Sequence, residues 1–460
     1  MFIILFFEII LNIKYIFNDI VILPFQEILE NYSTLANSDI LLNNYLDYKI
    51  YTEIKIGTPP KKLPVIVNSN LKIFRTKIDC EEISNFDFKK FERYIPKESS
   101  SFVNITDIYK MDEYYYFGYS LINESIKLFK DENCLQDIDI KNFQLFTERR
   151  DNILNNNYSY LCGEIGLSLS KMTNDQSNLL MKLKSLGIIN STVITIEYND
   201  DKKGIIYIGK FPHEYNKNNY DEKFLKTAYA ISTTGLNNKL RLRMDKIYID
   251  DKNFNSYIYL ENLGINLNYG LGFILSSEEY FNKILDIFFN KYINLNICKI
   301  NIIKRGINNN YHIISCEKKI EFKINEFPSL YLFKEEFDYI FELDYKDLFV
   351  EIQNYYYFLI IYFPFSNEYI ELGKPFLKKY QLSYNPDSTT VHFYITQKKE
   401  VNENNLKLNN KMKIILLIGL IFMIFLLGVI FWKKIHHSKR KIRKNEINED
   451  FDYNIPINDI

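Results

Sequence analysis

The chain has 460 residues, 47% hydrophobic and 25% charged, enough to bury cores in two or three domains and incompatible with wholesale disorder. Lys+Arg 57 against Asp+Glu 58 leaves a net charge of −1, so no polyelectrolyte field favours nucleic acid, and no nucleic-acid partner is expected. The N-terminus, MFIILFFEIILNIKYIF, is an apolar segment of signal-peptide length interrupted by Glu8 and Lys14. It reads as a signal peptide or retained N-terminal anchor over 1–17, with a leader segment over 18–47.

From about residue 48 to 396 the pattern is short apolar or alternating runs broken by Asn, Asp, Lys and Gly clusters, which predicts a mainly β protein. Such runs are YKIYTEIKIG (48–57), TVITIEYNDDKKGIIYIGKF (192–211), LRLRMDKIYIDDKNF (240–254) and TTVHFYI (389–395). Within 192–211 two β-rich runs flank a polar turn ending at Gly204, a hairpin signature. Helical periodicity is confined to DQSNLLMKLKSLG (175–187) and SEEYFNKILDIFFN (277–290). Residues 397–413 are polar and aperiodic, a linker.

Residues 414–432, IILLIGLIFMIFLLGVIFW, form an uncharged stretch of the length that crosses a bilayer core of about 30 Å. The 433–460 tail carries Lys433, Lys434, Lys439, Arg440, Lys441, Arg443 and Lys444, a cytosolic flank by the positive-inside rule. Together with the apolar N-terminus this predicts a single-pass type I membrane protein with its bulk in the secretory-pathway lumen or outside the cell. Sequons at Asn31, Asn104, Asn123, Asn157 and Asn190 decide nothing, because the Asn, Ser and Thr content yields as many by chance.

Cys298 and Cys316 lie in one region and Cys80, Cys134 and Cys162 in another. An oxidising compartment permits one disulfide in each, with one thiol left over, and the pairing in the first group stays open. These spacings fit neither a zinc site nor a Cys-x-x-Cys motif. There is no Gly-rich phosphate loop, His-Glu-x-x-His or Gly-x-Ser-x-Gly, and the five His (213, 312, 392, 436, 437) are scattered. Neither a metal nor another cofactor is expected.

Seven motifs in one order resemble the pepsin-like aspartic peptidases over about Tyr51 to Tyr394. YTEIKIGTPPKKLPVIV is similar to the opening strand, Ile-Gly-Thr-Pro turn and active-site strand, and YIPKESSSFVNIT (94–106) to the Pro-x-x-Ser-Ser segment before the flap. CGEIGLSLSK (162–171) stands where the family has Asp-Gly-Ile-Leu-Gly-Leu, with Cys162 in place of the Asp. NLLMKLKSLGIINSTVITIEY and KKGIIYIGKFPHEY are similar to the helix and strands that close the first lobe. NYGLGFILSSEEYFNKI (268–284) resembles the second active-site loop and its helix, and IELGKPFLKKYQLSYNPDSTTVHFY (370–394) the closing Leu-Gly-x-x-Phe-x-x-x-Tyr segment. The resemblance implies a bilobal double β-barrel, with lobes over 48–225 and 226–396 and a peptide-binding cleft between them. It also places Cys298 and Cys316 at a family disulfide.

The family's hydrolysis needs two facing Asp carboxylates that share a proton, one per lobe, each in an Asp-Thr/Ser-Gly loop. The resemblance puts Asn68 at the first Asp position, Ser69 at the hydroxyl and Asn70 at the Gly; in the second loop stand Asn268, Tyr269 and Gly270. An Asn amide can orient water but cannot act as its base. Tyr109 is the candidate for the flap Tyr, and Ser69, Tyr109, Tyr269 and Gly270 are the expected cleft-binding residues. The nearest carboxylates along the chain, Asp79, Glu81, Glu261 and Glu278, are each several residues from the loop tips. The expectation is therefore an inactive, membrane-anchored pseudoprotease that binds a peptide or protein in its cleft. The alternative is an active endopeptidase with a non-standard site.

Overall fold

The computed structural model describes residues 20–28, 42, 48–68, 74–76, 94–106, 110–111, 114–115, 119–148, 162–167, 178–232, 240–251, 256–305, 309–364 and 370–394. They all belong to one compact unit, Met1–Ile395. Among the described residues no helix is long and apolar enough to cross a membrane. The predicted span 414–432, its flanks and the N-terminal segment 1–17 lie outside the described residues.

Strand β1 (Val21–Glu27) comes from the segment read as a leader and carries some of the most deeply buried side chains, Val21, Leu23 and Phe25. Strand β2 (Ile50–Ile56) alternates strictly between buried and half-buried positions, as a strand with one core face must. It turns at Gly57 into β3 (Lys61–Asn68), with Thr52 opposite Val65. Gly57 has φ +85°, where a side chain is strained, and an added Cβ would also press on Tyr94 and Ser99. Both belong to the YIPKESSSF segment, which docks on this turn: the Thr58 N–H donates to Ser99 Oγ at 2.9 Å and the Ser100 N–H to Thr58 O at 2.9 Å. Two motifs about forty residues apart are thus one structural feature.

The first half continues through β4 (Arg75–Thr76), the long hairpin β5 (Tyr119–Phe129) and β6 (Asp137–Glu148), β7 (Gly163–Gly166) and helix α1 (Leu179–Ser185), capped by Asn178. The hairpin predicted over 192–211 is β8 (Ile194–Tyr198) and β9 (Lys203–Ile208). Gly204 pairs with Tyr198 inside β9, so the turn closes two residues earlier than its sequence suggests.

The second half comprises β10 (Leu225–Ser232), β11 (Leu240–Asp251), β12 (Ser256–Leu267), β13 (Ile274–Ser276) and helix α2 (Glu278–Ile284), capped by the Ser277 side chain. Next come β14 (Cys298–Arg305) and β15 (Asn309–Glu317), then β16 (Ile360–Tyr362), β17 (Ile370–Leu372), helix α3 (Lys374–Lys379), β18 (Leu382–Asn385) and β19 (Thr390–Tyr394). Cys298 and Cys316 face each other across β14 and β15 and form a disulfide. Cys162 is also disulfide-bonded, with its partner outside the described residues, and Cys134 is free.

Six antiparallel strands form a floor under both halves, in the order β1, β9, β8, β18, β19, β10. The halves meet at β8 and β18, where the buried hydroxyls of Thr195 and Ser383 lie 2.7 Å apart.

Above the floor one arrangement occurs twice. In the first half, β3 pairs antiparallel with β2 and parallel with β7, while β4 runs antiparallel to β7 and parallel to β6. In the second half, β12 pairs antiparallel with β11 and parallel with β17, while β13 runs antiparallel to β17 and parallel to β16. Five strands thus repeat with the same directions and the same neighbours, the internal twofold relation that the resemblance implies.

Candidate functional site

The repeated arrangement puts equivalent loops at equivalent places. β3 ends at Asn68, in register with Gly166 of β7, and the Asn68 carbonyl accepts the Leu167 N–H at 3.0 Å. In the second half Leu267 is in register with Leu372, and the next residue, Asn268, donates its N–H to the Leu372 carbonyl at 3.0 Å. A Gly at the end of each partner strand is therefore beside an Asn: Gly166, the last residue of β7, beside Asn68, and Gly373, just after β17, beside Asn268.

Gly373 is required by close packing. A Cβ there would lie 2.3 Å from the Phe273 carbonyl oxygen and 2.4 Å from that of Leu271. The loop 268–273 can close over the start of α3 only on a bare backbone.

Asn268 is 6% exposed and held at both ends of its amide. Its Oδ1 accepts the Gly270 N–H at 3.0 Å, and its Nδ2 donates to Glu371 Oε2 at 2.8 Å. The two partners fix which way the amide points, because an N–H needs an acceptor and a carboxylate needs a donor. Glu371 lies on β17, 103 residues further along the chain, and is 4% exposed.

Glu371 is in register with Asn266 of β12, and registered neighbours share a face of the sheet, as do residues two apart on one strand. Asn266, Asn268 and Glu371 therefore line one face. Asn266 is 1% exposed, and among the described residues neither its Oδ1 nor its Nδ2 has a hydrogen-bond partner. The first half repeats the pattern: Glu164, 5% exposed, is in register with Ile66, two residues before Asn68. The two Glu precede their Gly residues by the same spacing, Glu164-Ile-Gly and Glu371-Leu-Gly.

Tyr269 turns inward, 7% exposed, and burial pushes its phenol up to about 12. It neighbours Tyr198 and Tyr384, so it packs into the floor. Gly270 is half-buried and serves as backbone donor to Asn268. Asn68 is half-buried at the end of β3. Ser69, Asn70 and Tyr109 lie outside the described residues.

Beneath the second loop, Lys374 of α3 reaches across to the first half. Its Nζ lies 2.6 Å from Glu27 Oε1, with the two side chains 13% and 5% exposed. The Tyr48 hydroxyl donates to the same Glu27 oxygen at 3.1 Å, and burial drives its ionisation well above the ordinary range. The contact is a paired charge inside a cavity also lined by Gly272 and Pro375.

Reading along the chain did not find Glu164 or Glu371, because both reach the loops through strand pairing. The signal was nevertheless present, since each interrupts an otherwise apolar run at the same distance before a Gly.

A six-stranded floor, two copies of a five-strand arrangement and a loop at the same point of each define a pepsin-like aspartic protease fold. Residues 49–394 match the family model for eukaryotic aspartyl protease, and the chain belongs to that family. Among solved structures it is similar to conglutin gamma, a basic 7S globulin from lupine seeds, with TM-score 0.55 and 12% identity over 82% of this chain and 95% of that one. It is also similar to basic 7S globulin from soybean, with TM-score 0.54 and 11% identity over 83% and 97%. No curated protein is significantly similar in sequence.

Proposed function

We propose that this chain is a pseudoprotease: a pepsin-like protein that holds a peptide or protein in the cleft between its halves and does not hydrolyse it by the family mechanism. The observation that carries the reading is the amide at the same point of both repeats, Asn68 and Asn268, with Asn268 committed to Gly270 and Glu371. The family mechanism needs a titrating group in each loop to take the proton of water and to protonate the peptide carbonyl. An amide does neither. The apolar stretch 414–432 and its basic flank support anchorage by a single span, with the described unit on the non-cytosolic side.

The purified full-length chain is expected to leave a degenerate peptide library uncut from pH 3 to 7. Cleavage that a transition-state-mimicking inhibitor of aspartic peptidases abolishes would refute the reading. One observation favours a second reading: the carboxylate of Glu371 lies within hydrogen-bond reach of Asn268. If Glu371 serves an active endopeptidase, cleavage is present and disappears in Glu371→Gln.

A further inference from the structure

We propose that the cavity beneath the second loop is a binding site for a small amphipathic anion, an organic carboxylate with an apolar body. The proposal does not depend on the peptide-binding reading, since neither Asn68 nor Asn268 lines this cavity.

The cavity measures about 360 Å³, toward the lower end of the range of small-molecule sites, whereas packed interiors leave few voids larger than a water molecule. Both halves build it. The first supplies Glu27 of β1, Tyr48 and the β8–β9 turn; the second supplies Gly272 of the loop, the start of α3, the short helix Tyr345–Leu348 and the residues that follow it.

Its charges do not balance. Four lysines line it, Lys202, Lys346, Lys374 and Lys378, against three acids, Glu27, Asp201 and Asp347. Each acid already has a cation: Glu27 pairs with Lys374, Asp201 with Lys378, and Asp347 with Lys379 of α3. Among the described residues no carboxylate pairs with Lys202 or Lys346. Asp200, two residues before Lys202, is committed to the backbone N–H groups of Lys202 and Lys203.

The buried lysine is the independent observation. The Lys374 side chain is 13% exposed, and its ammonium has three N–H donors. Glu27 Oε1 takes one, and the face of the Tyr48 ring, with its centroid 5.4 Å from Nζ, takes another. A bound carboxylate accepts the third, in a partly desolvated place where a charge-assisted hydrogen bond is strong. Lys202 and Lys346, both exposed, add the field of two ammonium groups that have no resident acid. The wall also carries Phe349, Val350, Leu359 and Pro375, which give a hydrocarbon or aromatic body a surface away from water. A cationic ligand would meet the unpaired lysines, and a bare inorganic anion would leave the apolar wall unused.

The test is calorimetric titration of the full-length chain in neutral-detergent micelles, with micelles alone as the blank. Three probes share one body and differ in the head: 4-phenylbutyrate, 4-phenylbutanol and 4-phenylbutylamine; acetate is the head without the body. At low salt 4-phenylbutyrate is expected to bind about tenfold more tightly than the alcohol or acetate, and the amine most weakly. In the double variant Lys202→Gln/Lys346→Gln, which alters only exposed side chains, the advantage of the acid over the alcohol should fall about threefold. Equal binding of acid and alcohol, tightest binding by the amine, acetate as tight as 4-phenylbutyrate, or an advantage unchanged in the folded double variant overturns the site. So does the absence of saturable binding by 4-phenylbutyrate up to about 10 mM. The comparison of heads on the unaltered chain stands even if the variant fails to fold. Cleavage of a peptide library bears on the pseudoprotease reading alone, so either reading can fall while the other stands.

Discussion

Replacing Asn268 by Asp would return an acid to the second loop, and the structure sets the cost. The amide Nδ2 lies 2.8 Å from Glu371 Oε2, with the two residues 6% and 4% exposed. An aspartate in the same rotamer puts two carboxylates in contact. Two unit charges at that distance repel by about 6 kcal/mol at an effective dielectric near 20, so the pair takes up a proton instead of ionising twice. Raising the pair's upper ionisation by two to three pH units destabilises the folded state by about 3–4 kcal/mol at pH 7. The folded variant holds a proton that the unfolded chain releases. Its penalty is therefore absent below the ordinary carboxylate range near pH 4, grows as pH rises through it, and levels off above the raised value. Urea unfolding of the parent and Asn268→Asp at pH 4, 5.5 and 7 measures this directly. A penalty equal at all three values, or no penalty at pH 7, refutes the arrangement. Peptide cleavage should stay absent in this variant, since the first loop still presents the amide of Asn68.

Three further substitutions examine the frame around the site. Gly373→Ala drives a Cβ into two backbone carbonyls at 2.3 and 2.4 Å and is expected to cost about 3 kcal/mol in urea unfolding; a loss below about 1 kcal/mol would show that the loop does not close there. Lys374→Met strands the carboxylate of Glu27 and should cost about 3–5 kcal/mol, with much of it recovered in Lys374→Met/Glu27→Gln, as a double-mutant cycle would reveal. His392, with ring nitrogens 2.9 and 2.8 Å from the hydroxyls of Thr227 and Thr390, is pushed down to about 4, first by burial and then by His213. The unfolded chain binds this proton near pH 6.5 and the folded one does not, so about 3 kcal/mol of stability present above pH 6.5 is lost as pH falls toward 4. In His392→Gln that part of the slope should vanish, and an unchanged profile would contradict the assignment.

Much of the frame was legible because local chemistry specifies it. The alternation in 50–56, the polar turn in 192–211 and the helical periodicity in 175–187 and 277–290 act within a few residues. The order of motifs then carried the fold. Strand β1 was not legible: it includes Pro24, and its partner β9 lies far along the chain, so nothing local marks it as core. The site divides in the same way. Asn68 and Asn268 were picked out by the resemblance of the motifs around them, whereas Glu371 reaches Asn268 only through the parallel pairing of β12 with β17.

That pairing changes the meaning of the two amides. In the sequence they read as amides where the resemblance expects acids. In the structure Asn268 donates to a buried carboxylate on the next strand, so an acid at 268 would face Glu371 directly at neutral pH. The sequence repeats Glu before Gly in both halves, but the strand beside each Glu carries Arg75 in one and Leu275 in the other. The repeated backbone therefore sets different residues in register with its two buried acids.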